Sequence, residues 1–333
     1  MNKLFPAAFG LAIVIVLVSI GVWYSGNSAP SYPGIPEPVT IGVKPAEDIA
    51  LFYIAEDRGF FAKNGLNVTL VSYTTKLQAF SGMQKSDVDF AIISEYPVVA
   101  AIFEQKDISI IGSTSRFQDQ YLAANPGIRT VSDLNGRKIG LPAGTISEFY
   151  CGRFLNLNGV RLEDVTTKNV PFLQAGDSLE NGSVDAVLIF DGAPRSKEIL
   201  SEGNFTLWNV QSGQASYDLL VSRKDWVVDH PEDVQKLLRS LVQAEEWFVS
   251  NPAGGKAITQ KAINRSDADI ATIWPRFQFS LTLDQSLISA MEDEARWMIA
   301  NHLTNATTVP DFRDFVSRKG LETVKPGSVR IIG

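Results

Sequence analysis

Residues 57–71 read DRGFFAKNGLNVTLV. Gly59 and Gly65 flank a short stretch with two phenylalanines, and an alternating apolar pattern begins at Val68. Glycines commonly end helices, and alternating apolar residues are typical of a strand. The stretch therefore predicts a helix, a turn and a strand in that order. The β-branched run VTIGV at 39–43 predicts another strand just upstream. The two strands and the helix between them form a predicted βαβ unit.

The same order of elements continues along most of the chain. Predicted strands lie at 39–45, 67–73, 89–94, 108–113, 138–141, 166–171, 185–190, 206–210 and 217–222. Predicted helices lie at about 48–63, 76–86, 97–106, 147–158, 173–181 and 194–202. This alternation predicts an α/β protein whose parallel sheets are covered by helices on both faces. The last third differs, because residues 231–250 carry a helical stripe and a second long helix is predicted from near Asp284.

The composition excludes several classes of protein. Of the 333 residues 45% are hydrophobic and 20% are charged, which is ordinary for a globular protein. The formal net charge is -7 and no run of Lys or Arg occurs, so the sequence carries no nucleic-acid-binding surface. With a single cysteine, Cys151, and two histidines, a disulfide framework and a Cys/His metal site are excluded by counting. We expect no cofactor.

The N-terminus differs from the rest of the chain. Residues 4–24 carry no charge, and this length is about what a bilayer core requires. Lys3 should stay inside while the remainder faces out. A cleaved signal peptide is the alternative, although its apolar core is usually about 7–15 residues and Pro30 follows the best cleavage site. We predict a transmembrane anchor or signal at 1–24, a Pro/Gly/Ser tether at 25–38, and an extracytoplasmic protein that is membrane-anchored or secreted.

Four segments resemble one known family. They are GFFAKNGLNV (59–68), SDLNGRKIGLPAGT (132–145), YDLLVSRKDWVVDHPEDVQKLLRSLVQAEEW (217–247) and PDFRDFVSRKGLETVKPGSVRII (310–332). In order and spacing they resemble the solute-binding proteins of ABC importers for nitrate, sulfonates, taurine and thiamine-pyrimidine precursors. The resemblance covers about residues 39–331. It implies a type II periplasmic-binding-protein fold, in which two lobes, each a mostly parallel sheet flanked by helices, are joined by two crossing segments. Lobe 1 would be 39–117 plus 219–333, and lobe 2 would be 118–218.

The resemblance also implies a function. The chain would bind a small organic ligand, such as a sulfonate or amino-sulfonate, between its lobes and deliver it to an ABC permease and its ATPase. It would be a monomer held to the membrane by its N-terminal helix. A pyrimidine thiamine precursor and a nitrate-like anion remain open as ligands, and so does a role as a ligand-sensing receptor. A related branch makes the thiamine pyrimidine with a pyridoxal-phosphate lysine, a histidine and a cysteine-rich motif. This chain lacks that motif, so we do not expect an enzyme.

Candidate ligand-binding residues follow from the sheet rule. In open α/β sheets, ligands bind beyond the carboxyl ends of the strands. The residues that this rule selects are Lys44, Glu47, Ser94, Glu95, Ser113, Ser115, Gly144, Thr145, Ser147 and Asp191. Tyr217 is a further candidate because it lies near the predicted return crossing between the lobes.

The segment PAGTISEF at 142–149 provides the strongest candidate. Thr145 and Glu148 form a predicted capping box after Gly144, so the helix would begin with free backbone N–H groups. Such a helix end binds a sulfonate, carboxylate or nitrate group without a formal cation. The alternative is that Thr145 only caps the helix.

Acidic residues follow two other predicted strands. Ser94 and Glu95 come after FAIIS, and Asp191 comes after AVLIF. Each is either a cap or first-turn residue or a ligand contact. Two acids beside a cleft would hold an ammonium while a helix end holds an anion, which suits an amino-sulfonate such as taurine. The same acids would oppose a simple anion, unless Lys44 and Arg116 reverse that balance.

Overall fold

The computed structural model describes residues 32–190, 193, 195–201 and 204–332. The predicted anchor at 1–24, the tether up to residue 31 and Asp191 lie outside the described residues. Among the helices that the structure describes, each is too short or too polar to span a bilayer.

The strands belong to two separate sheets. In chain order they are β1 (Glu37–Val43), β2 (Leu66–Ser72), β3 (Phe90–Ser94), β4 (Ile108–Phe117), β5 (Gln120–Ala124), β6 (Lys138–Leu141), β7 (Thr166–Asn169), β8 (Ala186–Phe190), β9 (Thr206–Asn209), β10 (Ser216–Arg223), β11 (Phe277–Asp284) and β12 (Val329–Arg330). The seven-stranded sheet has the order β12-β11-β4-β10-β3-β1-β2, and the five-stranded sheet has the order β7-β6-β8-β5-β9. We call each sheet with its flanking helices the larger and the smaller lobe.

Helices cover both sheets. They are α1 (Ala50–Asp57), α2 (Phe60–Lys63), α3 (Lys76–Gln84), α4 (Glu95–Phe103), α5 (Ile146–Leu157), α6 (Ala175–Glu180), α7 (Ser196–Ser201), α8 (Lys224–Asp229), α9 (Pro231–Ser250), α10 (Pro252–Ile263), α11 (Asp267–Ile273), α12 (Gln285–Ala300) and α13 (Arg318–Val324). The two long C-terminal helices, α9 and α12, confirm the predicted stripe at 231–250 and the predicted helix start near Asp284.

The stretch at 57–71 forms the predicted helix, turn and strand. Gly59 has φ +68° and Gly65 has φ +80°, so both adopt the left-handed conformation that glycine tolerates best. Phe61 is buried in the core, and the Asn64 amide donates to the Phe60 carbonyl at 2.8 Å. The same amide donates to the Ser240 hydroxyl of α9 at 3.0 Å. These contacts give the stretch a packing role in the larger lobe.

The expectation of mostly parallel sheets is wrong. β1 pairs parallel with β2 and β3, but β10 lies between β3 and β4 and runs antiparallel to both. In the smaller lobe β5 is antiparallel to β8 and β9. β5 follows β4, and β10 follows β9, without a helix between them. Neither strand is therefore reached by the helical crossover that makes neighbouring strands parallel. Both sheets are therefore mixed.

Three strands, β5, β11 and β12, are not among the predicted ones. In β11 the phenylalanines and leucines at 277, 279, 281 and 283 alternate with polar residues, which is a period-two signal that identifies a half-buried strand. β5 (QYLAA) is too short for its pattern to be distinctive.

The two lobes are joined at two places. The chain passes from the larger to the smaller sheet between Phe117 and Gln120, and returns between Asn209 and Ser216. Gln211 is fully buried and links both passages, since its side-chain oxygen accepts from the Gln120 N–H at 2.9 Å and its amide donates to the Phe117 carbonyl at 3.1 Å. One side chain thus fixes the two crossing segments side by side.

Candidate functional site

Several predicted residues meet where β3, β4 and β10 lie side by side. In the strand register Asp218 of β10 is paired with Ser94 of β3 and with Ser115 of β4. Tyr217 is paired with Arg116. The antiparallel return of β10 therefore brings the carboxyl ends of β3 and β4 to one place.

A buried group of charges lies at this place, and we call it the lysine–carboxylate cluster: Asp48, Lys76 and Asp218. The Lys76 ammonium is 2.8 Å from the Asp48 carboxylate and also contacts the Asp218 carboxylate. The Ser115 hydroxyl donates to Asp218 at 2.8 Å. Burial alone would lower the pKa of Lys76, but the carboxylates of Asp218 and Asp48 outweigh it and raise that pKa. Lys76 is therefore a permanent cation.

None of the three members of this cluster is among the ligand-binding residues predicted from the sequence. Lys76 begins α3, close after the carboxyl end of β2, so the rule applied to the other strands would have selected it. Asp218 interrupts an otherwise apolar strand, YDLLV, which is a signal in its own right. Asp48 lies in the short 3-10 helix Glu47–Ile49 that follows β1.

Two predicted residues at the end of β1 have different environments. Glu47 is buried, and its carboxylate accepts from the Arg265 guanidinium at 2.8 Å, so its charge already has a partner. Lys44 is exposed at the rim.

Glu95 and Tyr217 are linked directly. The Glu95 carboxylate is fully buried and accepts from the Tyr217 N–H at 3.0 Å. Burial raises the pKa of Glu95 to about 8. The Tyr217 hydroxyl bonds Ser286 at 2.9 Å, and the Arg116 guanidinium lies 4.8 Å from the centre of its ring. Glu95 is therefore a first-turn acid of α4, as one of the two interpretations of the sequence predicted, and it is fully buried.

The capping box predicted at Thr145 is wrong. Thr145 is the N-cap residue of α5, but its hydroxyl donates to the Pro142 carbonyl at 2.7 Å and accepts no helix N–H. The Glu148 carboxylate accepts instead from the Gly144 N–H at 2.9 Å. The positive φ of Gly144, +70°, turns this N–H toward Glu148. A carboxylate therefore already occupies part of the helix start that we had assigned to an anionic ligand.

The other predicted residues are distributed as follows. Ser94 is the N-cap residue of α4 and makes no side-chain cap bond. Ser113 is buried, with its hydroxyl 3.4 Å from the Ser115 carbonyl, and Ser147 is buried in the first turn of α5. Gly144 faces the larger lobe, because a Cβ added there would lie 4.0 Å from Leu77 of α3.

An aromatic group fills the space between the lobes beside this site. We call it the aromatic wall: Tyr96 of α4, Phe149 of α5 and Trp297 of α12. The ring centres of Tyr96 and Phe149 are 6.3 Å apart, and those of Phe149 and Trp297 are 5.7 Å apart. Gly152 of α5 lies against the Trp297 indole. The lobes are therefore in direct contact at this wall.

Within the described part of the chain, no group of three or more His, Cys, Asp or Glu side chains is arranged to hold a metal ion. Cys151 is fully buried, and burial raises the pKa of its thiol to about 12. A thiol with that pKa is not a nucleophile at neutral pH.

Known proteins share this architecture. A family model described as NMT1/THI5 like matches residues 46–254. The chain is 24% identical over 249 residues to the formylaminopyrimidine-binding protein of Halalkalibacterium halodurans, covering 72% of this chain and 73% of that protein. It is 22% identical over 200 residues to the taurine-binding periplasmic protein of Escherichia coli, covering 59% and 62%.

A solved structure agrees with the fold. The periplasmic aliphatic sulphonate binding protein of Escherichia coli superposes with a TM-score of 0.68 at 18% identity, covering 84% of this chain and 97% of that chain. The two mixed sheets with their flanking helices are thus a periplasmic-binding-protein fold. Since the matched family model spans more than half of the sequence, the chain belongs to the NMT1/THI5-like family.

Proposed function

We propose that this protein is the extracytoplasmic solute-binding component of an ABC importer. It binds a small organic ligand between its lobes, closes over it and presents the closed form to a permease and its ATPase. One observation carries the proposal: the start of α5 in the smaller lobe lies against α3 of the larger lobe, whose first residue is Lys76 of the lysine–carboxylate cluster. Lys76 begins α3, and the next residue, Leu77, faces Gly144 at the start of α5.

The two-sided arrangement matters for closure. A ligand shifts an open–closed equilibrium only when it contacts the closed state better, which requires groups from both lobes. Lys76, Ser94 and Asp218 come from the larger lobe, and Thr145 and Ser147 come from the smaller lobe. This set supports a ligand site between the lobes near the start of α5.

The charges favour a ligand with a cationic group. Asp48 and Asp218 place two carboxylates around the single ammonium of Lys76. Glu148 adds another carboxylate at the start of α5. A simple anion such as nitrate would meet this excess of negative charge, whereas an ammonium would pair with it. An amino-sulfonate therefore fits better than an unsubstituted sulfonate or nitrate.

A pyrimidine thiamine precursor is the second candidate ligand. The formylaminopyrimidine-binding relative supports it, and an aminopyrimidine offers N–H donors to the same carboxylates. The taurine-binding relative supports the amino-sulfonate. Because both relatives are named as binding proteins and the described residues offer no activated nucleophile, we propose no enzymatic activity.

Calorimetric titration of the purified protein tests the ligand class. We expect taurine or an aminopyrimidine to bind more tightly than nitrate or an alkanesulfonate. Asp218→Asn should then weaken binding by about 1.5–3 kcal/mol, the usual contribution of a hydrogen bond to a charged group. Asp57→Asn, on the exposed end of α1, is the matched control and should bind as the wild type does. Tighter binding of nitrate than of taurine would contradict the charge argument.

The membrane partners need a separate test. In vesicles that contain the permease and its ATPase, the liganded protein should stimulate ATP hydrolysis. A ligand-sensing receptor would bind the same ligand without stimulating hydrolysis. The monomeric state and the attachment through residues 1–24 are parts of the proposal that light scattering and membrane fractionation would check.

A further inference from the structure

Two buried carboxyl groups lie near each other behind the proposed ligand site. Glu95 begins α4 and Glu294 lies in α12, and both are fully buried. The helices α4 and α12 pack against each other, and the two carboxyl groups are close enough that each shifts the pKa of the other. One oxygen of Glu95 accepts from the Tyr217 N–H at 3.0 Å. Across the described residues, no donor of another side chain or the backbone reaches its other oxygen or either oxygen of Glu294.

Buried polar atoms without donors need an explanation. Two carboxylates in one buried place cannot both be ionised unless a cation lies between them, because each charge disfavours the other. A carboxyl proton supplies the missing donor, since a protonated carboxyl donates to the ionised one. This arrangement satisfies one oxygen of each residue.

The ionisable groups around the pair do not compensate a second charge. Asp218 of β10 acts on Glu95, and Asp293 of α12 acts on Glu294. Tyr150 of α5 is fully buried beside the pair. Each of these groups is neutral or negative.

The nearby cations have other partners. The Arg116 guanidinium pairs with Asp284, and the Arg153 guanidinium lies 3.8 Å from the Asp293 carboxylate. The Lys76 ammonium is shared by Asp48 and Asp218. The carboxyl pair therefore needs a proton of its own to neutralise one of its two negative charges.

We propose that Glu95 and Glu294 share one proton in the closed protein, and that loss of this proton at alkaline pH favours separation of the lobes and release of the ligand. The pair belongs to the larger lobe, and the fully buried Tyr150 of the smaller lobe lies near it. When the lobes separate, water reaches the ionised pair, so ionisation favours the open state. The effect on ligand release rests on the proposed function, whereas the shared proton does not.

The direction of the pH dependence follows from the burial. Burial raises the pKa of Glu95 to about 8, and burial followed by the charge of Glu95 raises that of Glu294. The closed, folded state therefore binds a proton that the unfolded state has released above its ordinary carboxyl pKa. Its stabilising effect is complete at acid pH and falls as the pH rises toward 8. The unfolding equilibrium constant should increase by up to about tenfold per pH unit in that interval.

The first experiment needs no ligand. Urea unfolding of the wild type between pH 5 and 9 is compared with that of Glu294→Gln, whose amide can donate to the Glu95 carboxylate without a shared proton. Glu292→Gln, in the same helix but paired with Arg296 at the surface, is the matched control. We expect the pH-dependent loss of stability in the wild type and the control, and a smaller loss in Glu294→Gln. Equal pH dependence in all three proteins overturns the shared proton.

A second variant guards against a folding defect. Glu95→Gln places the amide on the other side of the pair, so either variant that folds provides the comparison. Small-angle X-ray scattering of the same proteins at pH 6 and 9 then measures the separation of the lobes. We expect the radius of gyration of the wild type to increase at pH 9 and that of the folded Gln variant to stay constant. A wild-type radius that does not change with pH overturns the coupling to opening.

Taurine is the probe for ligand release. Its affinity for the wild type should fall between pH 6 and 8, and the folded Gln variant should lose most of this dependence. If the wild type binds taurine equally at both pH values, the coupling is overturned. If taurine does not bind at all while unfolding and scattering behave as expected, the proposed function fails for this ligand and the shared proton stands.

Discussion

The contact between Gly152 and Trp297 makes a sharp prediction about lobe closure. Gly152 lies in α5 of the smaller lobe and Trp297 in α12 of the larger lobe. A Cβ at position 152 would lie 2.1 Å from Cζ2 and 2.9 Å from Cε2 of the indole. The indole is rigid and buried, so Gly152→Ala should force α5 and α12 apart.

The magnitude follows from the cost of overpacking. Adding a methyl group to a well-packed interface costs about 1–3 kcal/mol. Alanine in place of glycine inside a helix stabilises the folded protein by roughly 0.5–1 kcal/mol, whether the lobes are open or closed. If separation of the lobes relieves the clash, the cost affects only the closed state. Ligand affinity should then fall about 5- to 150-fold, since 1.4 kcal/mol is about a factor of ten.

Titration calorimetry with the identified ligand measures this loss, and thermal melts of the ligand-free protein measure stability separately. We expect weaker binding with an almost unchanged melting temperature. Gly127→Ala is the matched control, because Gly127 has nothing within 4 Å of the added Cβ. The double variant Gly152→Ala/Trp297→Leu removes the obstructing ring and should recover part of the affinity. Normal affinity of Gly152→Ala would refute the view that this contact belongs to the ligand-bound state.

Three further substitutions test the site and its support. Lys76→Met should destabilise the protein by up to about 3–5 kcal/mol in urea unfolding, because it leaves buried carboxylates unpaired. Adding Asp218→Asn should recover part of the lost stability. If nothing is recovered, Lys76 acts through other contacts. Thr145→Ala should cost about 0.5–1.5 kcal/mol of stability because the hydrogen bond to the Pro142 carbonyl is lost, and Thr145→Ser should restore that stability. Unchanged ligand affinity in Thr145→Ala would remove Thr145 from the ligand site. Gly65→Ala should cost roughly 1–3 kcal/mol in thermal unfolding, since φ is +80° and the added Cβ meets an aromatic ring at 2.8 Å; a wild-type melting temperature would mean that the turn adapts freely.

Local patterns in the sequence predicted the elements of the fold well. The glycines at 59 and 65 require positive φ, and such requirements are read from single residues. The stripe of α9 and the alternation of strands and helices are equally local. The sheet rule also selected Ser94 and Ser115 beyond the ends of their predicted strands, and these two residues lie on either side of Asp218 in the folded sheet.

The predictions that failed depended on contacts that a local sequence pattern leaves open. Thr145 and Glu148 have the residue types and spacing of a capping box, yet each prefers another nearby partner in the folded loop. The direction of β10 also failed, because a strand pattern contains no information about which neighbours it will join. Glu95 could not be assigned to the interior without knowing that α12 covers it.

The sequence by itself determined the class of fold, the boundaries of most elements and the absence of a basic surface, because composition, periodicity and glycine conformation act within a few residues. Only the tertiary structure decided the chemistry of the cleft. Lys76 meets Asp218 across 142 positions of sequence, and Glu95 of α4 lies near Glu294 of α12, which is farther away still along the chain. Such pairs form when packed sheets and helices bring distant side chains together and exclude water from them, and burial then sets their charge.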